Sequence, residues 1–171
     1  MRSRKSSMGS SASERARLVF RFRAVMVFFI VGLVLSGVTA FPLLTELRWL
    51  DAHLPAFTPR GVAEWIGTVR WGLEETYDHY PWVAYGTDWL AFGHIVIALF
   101  FIGPLVDPKS SRPVLLVGIA ACVLVIPLAL ICGPIRGIPF YWRVIDCSFG
   151  VFGIVPLLYC LKLRREIASP E

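Results

Sequence analysis

Four long apolar runs, separated by shorter polar segments, dominate the pattern of this chain. The first run covers residues 24–44 and contains no charged residue. The other three cover residues 82–106, 113–133 and 140–161. Each run is close to the length of about 20 residues that a helix needs to cross the hydrocarbon core of a bilayer. The pattern therefore predicts an all-α integral membrane protein, built as a four-transmembrane-helix bundle.

The segments that separate the last three runs are short and contain residues typical of turns. The segment at residues 107–112 combines Pro108 with two serines, and Pro113 fits the first turn of the helix that follows. A second turn, at residues 134–139, precedes the fourth run. Pro127 lies inside the third run, where we expect a kink, because proline lacks the N–H group that a helix interior requires.

The segment between the first two runs, residues 45–81, is too long for a simple turn. Thr58 is a good N-cap and Pro59 suits the first position of a helix. Apolar residues then follow at helical spacing, at Val62, Trp65, Ile66, Val69 and Leu73. Because tryptophan is enriched at membrane interfaces, we expect an external amphipathic helix on the outer leaflet or across the mouth of the bundle.

Lysine and arginine are distributed unequally between the two sides of the predicted bundle. The side that holds both termini and the 107–112 turn carries 12 of these residues, and the other side carries 5. Such an excess marks the cytoplasmic side, so both termini are predicted to be cytoplasmic. The chain then divides into a disordered basic tail at residues 1–22, a transmembrane domain at residues 23–165 and a short tail at residues 166–171.

The composition agrees with lipid as the surrounding solvent. Of 171 residues, 56% are apolar and 17% are charged, whereas about a quarter of a soluble domain is charged. A chain of this length cannot bury so much apolar surface in a core of its own. The net charge of +5 fits a cytoplasmic anchor that contacts anionic lipid better than it fits nucleic-acid binding. We expect a protein of the cell inner membrane whose partners are the lipid bilayer and a second membrane protein or another copy of itself.

The first run has an alternative interpretation as a signal peptide. The basic residues before it and the small residues Val38, Thr39 and Ala40 resemble the flanks of a signal-peptidase site. The apolar run is long for a signal peptide, which favours an uncleaved membrane anchor.

Four ionisable residues fall inside the apolar runs, namely Asp88, His94, Arg143 and Asp146. Such residues cost about 2.5 to 3.5 kcal/mol each at the centre of a membrane helix and are functional candidates by default. In the predicted topology all four lie in the outer half of the bilayer, where we expect a polar pocket open to the external side. Small residues occur on the same helix faces as these four residues and on the first and third runs. They predict close contacts between the helices. The small residues are Ser36, Thr39, Ala40, Ala91, Ala98, Gly118, Cys122, Cys132, Cys147, Gly150 and Gly153.

A structural alternative stays open for the same four residues. Arg143 and Asp146 are three residues apart and can pair on one helix. Asp88 can lie in water at the interface, and His94 can be a hydrogen-bonded packing residue. In that case the chain contains no shared pocket.

The other histidines and the cysteines give weak signals for a cofactor. Glu75 and His79 are spaced as i and i+4, but a catalytic zinc usually takes three protein ligands. His94 is the single histidine inside an apolar run, whereas a bis-histidine haem needs two. Cys132 and Cys147 could approach each other, but the chain has no Cys-x-x-Cys redox motif. We therefore predict free thiols, no metal and no cofactor.

Three functions remain as hypotheses. The short loops and the absence of a catalytic motif favour a multi-pass inner-membrane protein that acts as an accessory or assembly component of a membrane complex. A small transporter or ion-coupled carrier could instead use the polar cluster to bind a proton or an anion. A membrane enzyme could act on a lipid or quinone at the outer leaflet, with His94 as acid and base and Arg143 as anion clamp.

Overall fold

The computed structural model describes residues 2–169, with side chains from Ser13 onward. Met1, Pro170 and Glu171, the ends of the two predicted tails, lie outside the described residues. The described chain is helical throughout and has no strand, which confirms the all-α prediction. Its helices are α1 (Arg2–Ala40), α2 (Leu43–Ala52), α3 (Arg60–His79), α4 (Pro81–Phe100), α5 (Ile102–Val106), α6 (Arg112–Ile135) and α7 (Phe140–Ala168), with a 3-10 helix at Lys109–Ser111.

Four helical segments of the described chain are long and apolar enough to cross a membrane. They are Ser13–Ala40, Pro81–Val106, Lys109–Ile135 and Phe140–Ala168. The four predicted runs are thus confirmed as long apolar helices. Three of these segments contain their predicted run completely, because a helix continues through charged and turn residues that the apolar count excludes. The first run was predicted to reach residue 44, but α1 ends at Ala40 and a new helix begins at Leu43.

The segment at residues 1–22, predicted to be a basic tail, overlaps the first helix. Helix α1 begins at Arg2, so residues 2–22 are helical. Phe22 is fully buried, and the Cys160 thiol lies 3.9 Å from its backbone oxygen. These contacts tie the end of this segment to α7. Helix α7 likewise continues to Ala168, into the predicted C-terminal tail.

The chain divides into two compact units. The first unit consists of residues 1–31 and 99–171, and therefore holds most of α1 together with α5, α6 and α7. The second unit consists of residues 32–98 and holds the end of α1, α2, α3 and most of α4.

In the first unit, helices approach closely at glycines. A Cβ at Gly150 would overlap the backbone oxygen of Cys122, and a Cβ at Gly153 would lie 2.8 Å from the Cys122 sulfur. A Cβ at Gly118 would lie 2.8 Å from the ring of Phe101. The prediction of close contacts at these small residues is therefore confirmed. At Gly150 the neighbour is backbone, so a larger side chain there would push the helices apart.

Three of the small or polar residues predicted to face other helices are exposed instead, namely Ser36, Thr39 and Cys132. The hydroxyl of Thr39 donates to the backbone oxygen of Leu35 at 2.9 Å. This bond satisfies the hydroxyl within its own helix, so Thr39 does not need a partner on another helix.

The turn between α6 and α7 has a local explanation in Gly137. This glycine has a φ of 71°, in the left-handed region that side chains disfavour. The N–H of Ile138 donates to the oxygen of Gly133 at 2.9 Å, and the N–H of Gly137 donates to that of Pro134 at 3.1 Å. These two bonds form a Schellman motif, which satisfies the last carbonyl groups of α6 and ends the helix.

The turn between α5 and α6 is stabilised by its own polar side chains. The carboxylate of Asp107 accepts a hydrogen bond from the backbone N–H of Lys109 at 3.0 Å. A hydrogen bond from Ser110 holds the pKa of Asp107 below its ordinary value, and the bond from Lys109 adds to this effect. Ser111 is buried, and its hydroxyl donates to the oxygen of Pro108 at 2.6 Å.

The second unit contains one helix more than predicted. Helix α3 occupies the segment in which we expected a helix, but it begins at Arg60 rather than at Pro59. Pro59 has a ψ of 133° and is the N-cap, and no side chain caps this helix. Thr58 is therefore one residue too early to be the cap. Helix α2 was not predicted; it begins within the end of the predicted first run and continues into the inter-run segment.

Candidate functional site

Asp88 and His94 lie on α4, in the second unit. Six residues along a helix correspond to about 9 Å along its axis, so the two side chains stand at different depths. The side chain of Asp88 is half-buried and has no hydrogen bond or ion pair with any described residue. Asp88 is therefore a carboxylate inside an apolar helix with its acceptor capacity unused.

The ring of His94 is oriented by its own helix. Its Nδ1 atom lies 2.9 Å from the backbone oxygen of Leu90. A carbonyl oxygen can accept but not donate, so Nδ1 carries the proton of this bond. A neutral ring then presents Nε2 as an acceptor. Since this bond explains the placement of the ring, His94 is a hydrogen-bonded packing residue as well as a candidate for proton binding.

A glycine of α1 fixes the position of His94 in the second unit. A Cβ at Gly37 would lie 2.7 Å from the backbone oxygen of Ala91 and 3.2 Å from the Cβ of His94. The absence of a side chain lets the end of α1 approach α4 at this level. His94 therefore stands at the contact between these two helices.

Arg143 and Asp146 lie on α7, in the first unit. The Cγ of Arg143 would be 2.7 Å from a Cβ at Gly133, and its Cδ would be closer still. Its guanidinium lies over the ring of Phe140, 5.3 Å from the ring centroid, where a cation is attracted to the π electrons. The Nε atom is buried and has no hydrogen-bond partner among the described residues.

Asp146 does not serve as the partner of Arg143. The described residues contain no ion pair between the two, although they stand at i and i+3. The physical reason is the packing of the arginine stem on Gly133, which directs the guanidinium towards Phe140 instead. The local ion pair considered from the sequence is therefore absent.

The structure thus places the four candidates in two pairs, each on one helix of its own unit. Asp88 and His94 belong to α4, and Arg143 and Asp146 belong to α7. The shared polar pocket predicted from their depth stays a prediction.

Glu75 and His79 form a weak pair at the end of α3. The Nδ1 atom of His79 lies 3.0 Å from the backbone oxygen of Glu75 and 3.3 Å from its carboxylate. Both side chains are exposed. No group of three histidine, cysteine or carboxylate side chains that could hold a metal occurs among residues 13–169.

The four cysteines are free thiols. The thiol of Cys147 lies 4.0 Å from the backbone oxygen of Ile126, and Cys160 is buried against Phe22. Cys132 is exposed and has no disulfide with Cys147. The prediction of free thiols is confirmed.

A group of charged residues that the sequence analysis did not single out joins α2 to α3; we name it the α2–α3 charge network. Arg70 donates to Asp51 at 2.7 Å and to Glu74 at 2.6 Å, and Arg48 donates to the other oxygen of Glu74 at 2.7 Å. The spacing of Arg70 and Glu74 at i and i+4 is a sequence signal for an ion pair within one helix. No spacing in the sequence indicated that Arg48 and Asp51 of α2 would join them.

Hydrogen bonding within the network shifts two pKa values. The bond from Arg48 is the main cause that lowers the pKa of Glu74, and bonding and attraction from Arg70 add to it. The bond to Asp51, followed by that to Glu74, raises the pKa of Arg70. Both shifts favour the charged forms of Arg70 and Glu74.

Arginines of the first unit bind backbone oxygens instead of carboxylates; we name these the arginine–carbonyl contacts. Arg23 donates through Nε to Leu105 at 3.2 Å and through Nη2 to Val106 at 3.4 Å. Two further arginines make single contacts, Arg15 to Ile167 at 3.5 Å and Arg164 to Lys109 at 3.0 Å. Arg23 and Arg15 reach the C-terminal ends of α5 and α7, where unpaired carbonyls and the helix dipole attract cations.

Comparisons with protein-family models, with curated proteins and with solved structures found no match for this chain. Its function must be inferred from its own residues.

Proposed function

We propose that this chain is a multi-pass protein of the cell inner membrane that acts as an accessory or assembly component of a membrane complex. It has four transmembrane helices, with both termini in the cytoplasm and α2 and α3 on the external side. The observation that carries the membrane assignment is the outward apolar surface of the four long helices. In the most apolar 18-residue window of each, between 11% and 22% of the residues are buried. Lipid or a neighbouring membrane protein covers the remainder.

Exposed aromatic residues at the start of α4 support a surface that contacts another membrane component. Trp82, Tyr85 and Trp89 are 68%, 62% and 59% exposed. Tyr85 and Trp89 meet edge to face, with ring centroids 6.1 Å apart, and Trp89 meets Phe92 in the same way. In the proposed topology these rings lie near the outer membrane interface, which tryptophan and tyrosine favour.

The polar contacts support a role in assembly, because they join helices to one another. The α2–α3 charge network connects two helices of the second unit. The arginine–carbonyl contacts connect α1 to α5 and to α7 in the first unit. These side chains hold the fold, and the exposed surface of α4 provides the binding face.

The topology is tested with alkaline phosphatase fusions, since this enzyme is active only outside the cytoplasm. A fusion after Arg70 should be active and one after Ile167 should be inactive. The reverse pattern would disprove the orientation. A mature N-terminus at Phe41 would show that the first apolar segment is cleaved as a signal peptide.

The accessory role is tested in native membranes solubilised in mild detergent. The chain should migrate on a native gel above the mass of its own detergent complex, and replacing Trp82, Tyr85 and Trp89 by alanine should shift it to that mass. Phe152→Ala on α7, an equally exposed aromatic residue, should leave the larger species intact. Co-purification of tagged and untagged copies identifies a homo-oligomer. Migration of the native protein as a monomer would contradict the proposal.

Asp88 favours a second candidate function, that of a small ion-coupled carrier. Its half-buried carboxylate lies within an apolar helix and has no partner among the described residues, as expected of an ion-binding group. Proteoliposomes that contain the purified chain should then dissipate an imposed pH gradient faster than those that contain Asp88→Asn. Equal rates for the two proteins would reject the carrier.

A further inference from the structure

An open groove runs along one face of α1, near its charged end. It has a volume of about 520 Å³ and is lined by Arg15, Ala16, Val19, Phe20 and Arg23. This volume lies within the range of about 300 to 1,000 Å³ that is typical of small-molecule sites. The groove therefore combines two guanidinium groups with an apolar floor.

The lining follows from helical geometry. Arg15 and Arg23 are eight residues apart, which corresponds to about 12 Å along the axis, and at about 100° per residue they differ in direction by only about 80°. Val19 lies between them on the same face. Arg17 and Arg21 point to the other side of the helix and do not line the groove. The chain thus offers two arginine pairs of equal charge on opposite faces.

Both groove arginines are held in place while most of their donors stay available. Arg23 uses two N–H groups on the carbonyls of Leu105 and Val106, and Arg15 uses one on that of Ile167. A guanidinium has five N–H donors. Neither arginine forms an ion pair with a described carboxylate. The groove therefore has a net positive charge that no described acidic residue neutralises.

Phe20 indicates which kind of anion fits. Its side chain is 73% exposed between the two arginines, and the uninterrupted apolar part of α1 begins four residues later at Ala24. A soluble phosphate would use the guanidinium groups and leave this ring in water. An amphiphile with a phosphodiester next to acyl chains matches both the charges and the apolar floor.

We infer that this groove is a binding site for an anionic phospholipid, whose phosphate is bound by Arg15 and Arg23 and whose acyl chain lies against Val19 and Phe20. The inference rests on the proposed membrane insertion, which places this part of α1 at the cytoplasmic interface. Arginine binds phosphate through paired N–H groups of matching geometry. The site would tie the lipid to α5 and α7 through the carbonyl contacts of the same two arginines.

The test is lipid binding to the purified full-length chain in neutral detergent, measured by native mass spectrometry. Wild type should bind phosphatidylglycerol more tightly than phosphatidylcholine with identical chains. The double variant Arg15→Gln with Arg23→Gln should bind phosphatidylglycerol about thirtyfold more weakly, as expected for two basic residues near a phosphate. Arg17→Gln with Arg21→Gln removes the same charge from the other face and should leave this affinity unchanged.

The Arg15→Gln with Arg23→Gln variant could lose structure as well as lipid affinity, since both arginines also bind helix ends. A third variant separates the two effects. Phe20→Ala keeps the guanidinium groups and should weaken phosphatidylglycerol binding several-fold. Equal losses in the two double arginine variants, or equal binding of the two lipids by wild type, would overturn the lipid site. Glycerol phosphate that competes as well as the lipid would also overturn it, since the apolar floor would then be irrelevant.

Membrane insertion is scored separately by washing native membranes in alkaline carbonate. Release of the chain into the wash contradicts the proposed function. A chain that stays in the membrane but lacks the lipid preference contradicts the groove site alone.

Discussion

Helices α6 and α7 of the first unit meet through glycines, whereas α2 and α3 of the second unit are joined by ion pairs. Gly150 allows backbone contact with Cys122, and Gly133 leaves room for the apolar stem of Arg143, which forms no ion pair with a described residue. In the second unit Arg70 and Glu74 of α3 connect to Asp51 and Arg48 of α2. Close packing is effective where apolar helices contact lipid, because polar groups are costly there. Ion pairs suit a segment whose partners remain accessible to water.

The arginines of the two units differ in the same way. Those of the second unit bind carboxylates, which titrate, while Arg23 and Arg15 bind backbone carbonyls, which do not. The comparison predicts that the first unit depends on packing volume and the second on acidic residues and pH. Four measurements test it, in order of expected effect.

Gly150→Ala should have the largest effect, because its Cβ would overlap a backbone oxygen that cannot move aside on its own. Overpacking of this kind costs about 1 to 3 kcal/mol. Thermal unfolding in detergent should show a clear fall in Tm. The control is Gly32→Ala on α1, where a Cβ would meet nothing within 4 Å and the helix propensity of alanine should help. Equal Tm values for the two variants would contradict the close contact.

Arg70→Gln should loosen α2 and α3, because it removes the connections to both Asp51 and Glu74. Hydrogen exchange of the backbone amides in these two helices should accelerate several-fold, while exchange in α6 and α7 stays unchanged. Arg60→Gln breaks a pair that is 92% exposed on the arginine side and should change little. If the two variants behave alike, the network does not hold the helices together.

Arg23→Gln should produce a smaller and local change in the first unit. The variant loses the two hydrogen bonds to the last carbonyls of α5, so exchange in residues 102–111 should accelerate about twofold to fivefold. Arg21→Gln, on the other face of α1, is the matched control. If hydrogen exchange at residues 102–111 accelerates equally in Arg21→Gln, the effect comes from the loss of charge and not from the two hydrogen bonds of Arg23.

Acid should have the smallest effect, and it should separate the two kinds of arginine contact. The pKa of Glu74 is lowered by folding, so its contribution is complete above the unfolded value of about 4.3 and is lost as the pH falls through the folded pKa. Exchange in α3, corrected for its intrinsic pH dependence, should rise modestly below that value. Glu74→Gln should remove this pH dependence.

Asp107 of the first unit must be replaced before the pH dependence of exchange can be compared between the two units. Asp107 also has a lowered pKa, through the bond from Ser110. In an Asp107→Asn background, exchange at residues 102–106 should be independent of pH over this window, because the carbonyl acceptors of Arg23 do not titrate. A pH dependence that persists there would show that another acidic residue supports the contact.

The helical elements followed largely from the sequence, and some of their contacts did as well. The apolar runs predicted the four long helices, since run length and composition are local properties. Gly150 and Cys122 were predicted at a helix contact and lie at one. Helix α2 was missed although Leu43, Leu47 and Leu50 recur at helical spacing, because its first residues continue the apolar run that was assigned to the first long helix. The burial of Phe22 could not be read from the sequence, because it depends on residues far away along the chain.

Sequence alone determined the class of this protein, its four apolar helices and the unequal distribution of lysine and arginine, because each is a property of neighbouring residues. The partners of the charged side chains were decided by tertiary structure. Arg48 and Glu74 are 26 residues apart, and Arg23 and Leu105 are 82 apart. No local pattern specifies whether an arginine will meet a carboxylate, a carbonyl or, as at Arg143, the face of an aromatic ring. That choice depends on which helix ends and side chains the packed helices bring within about 3 Å.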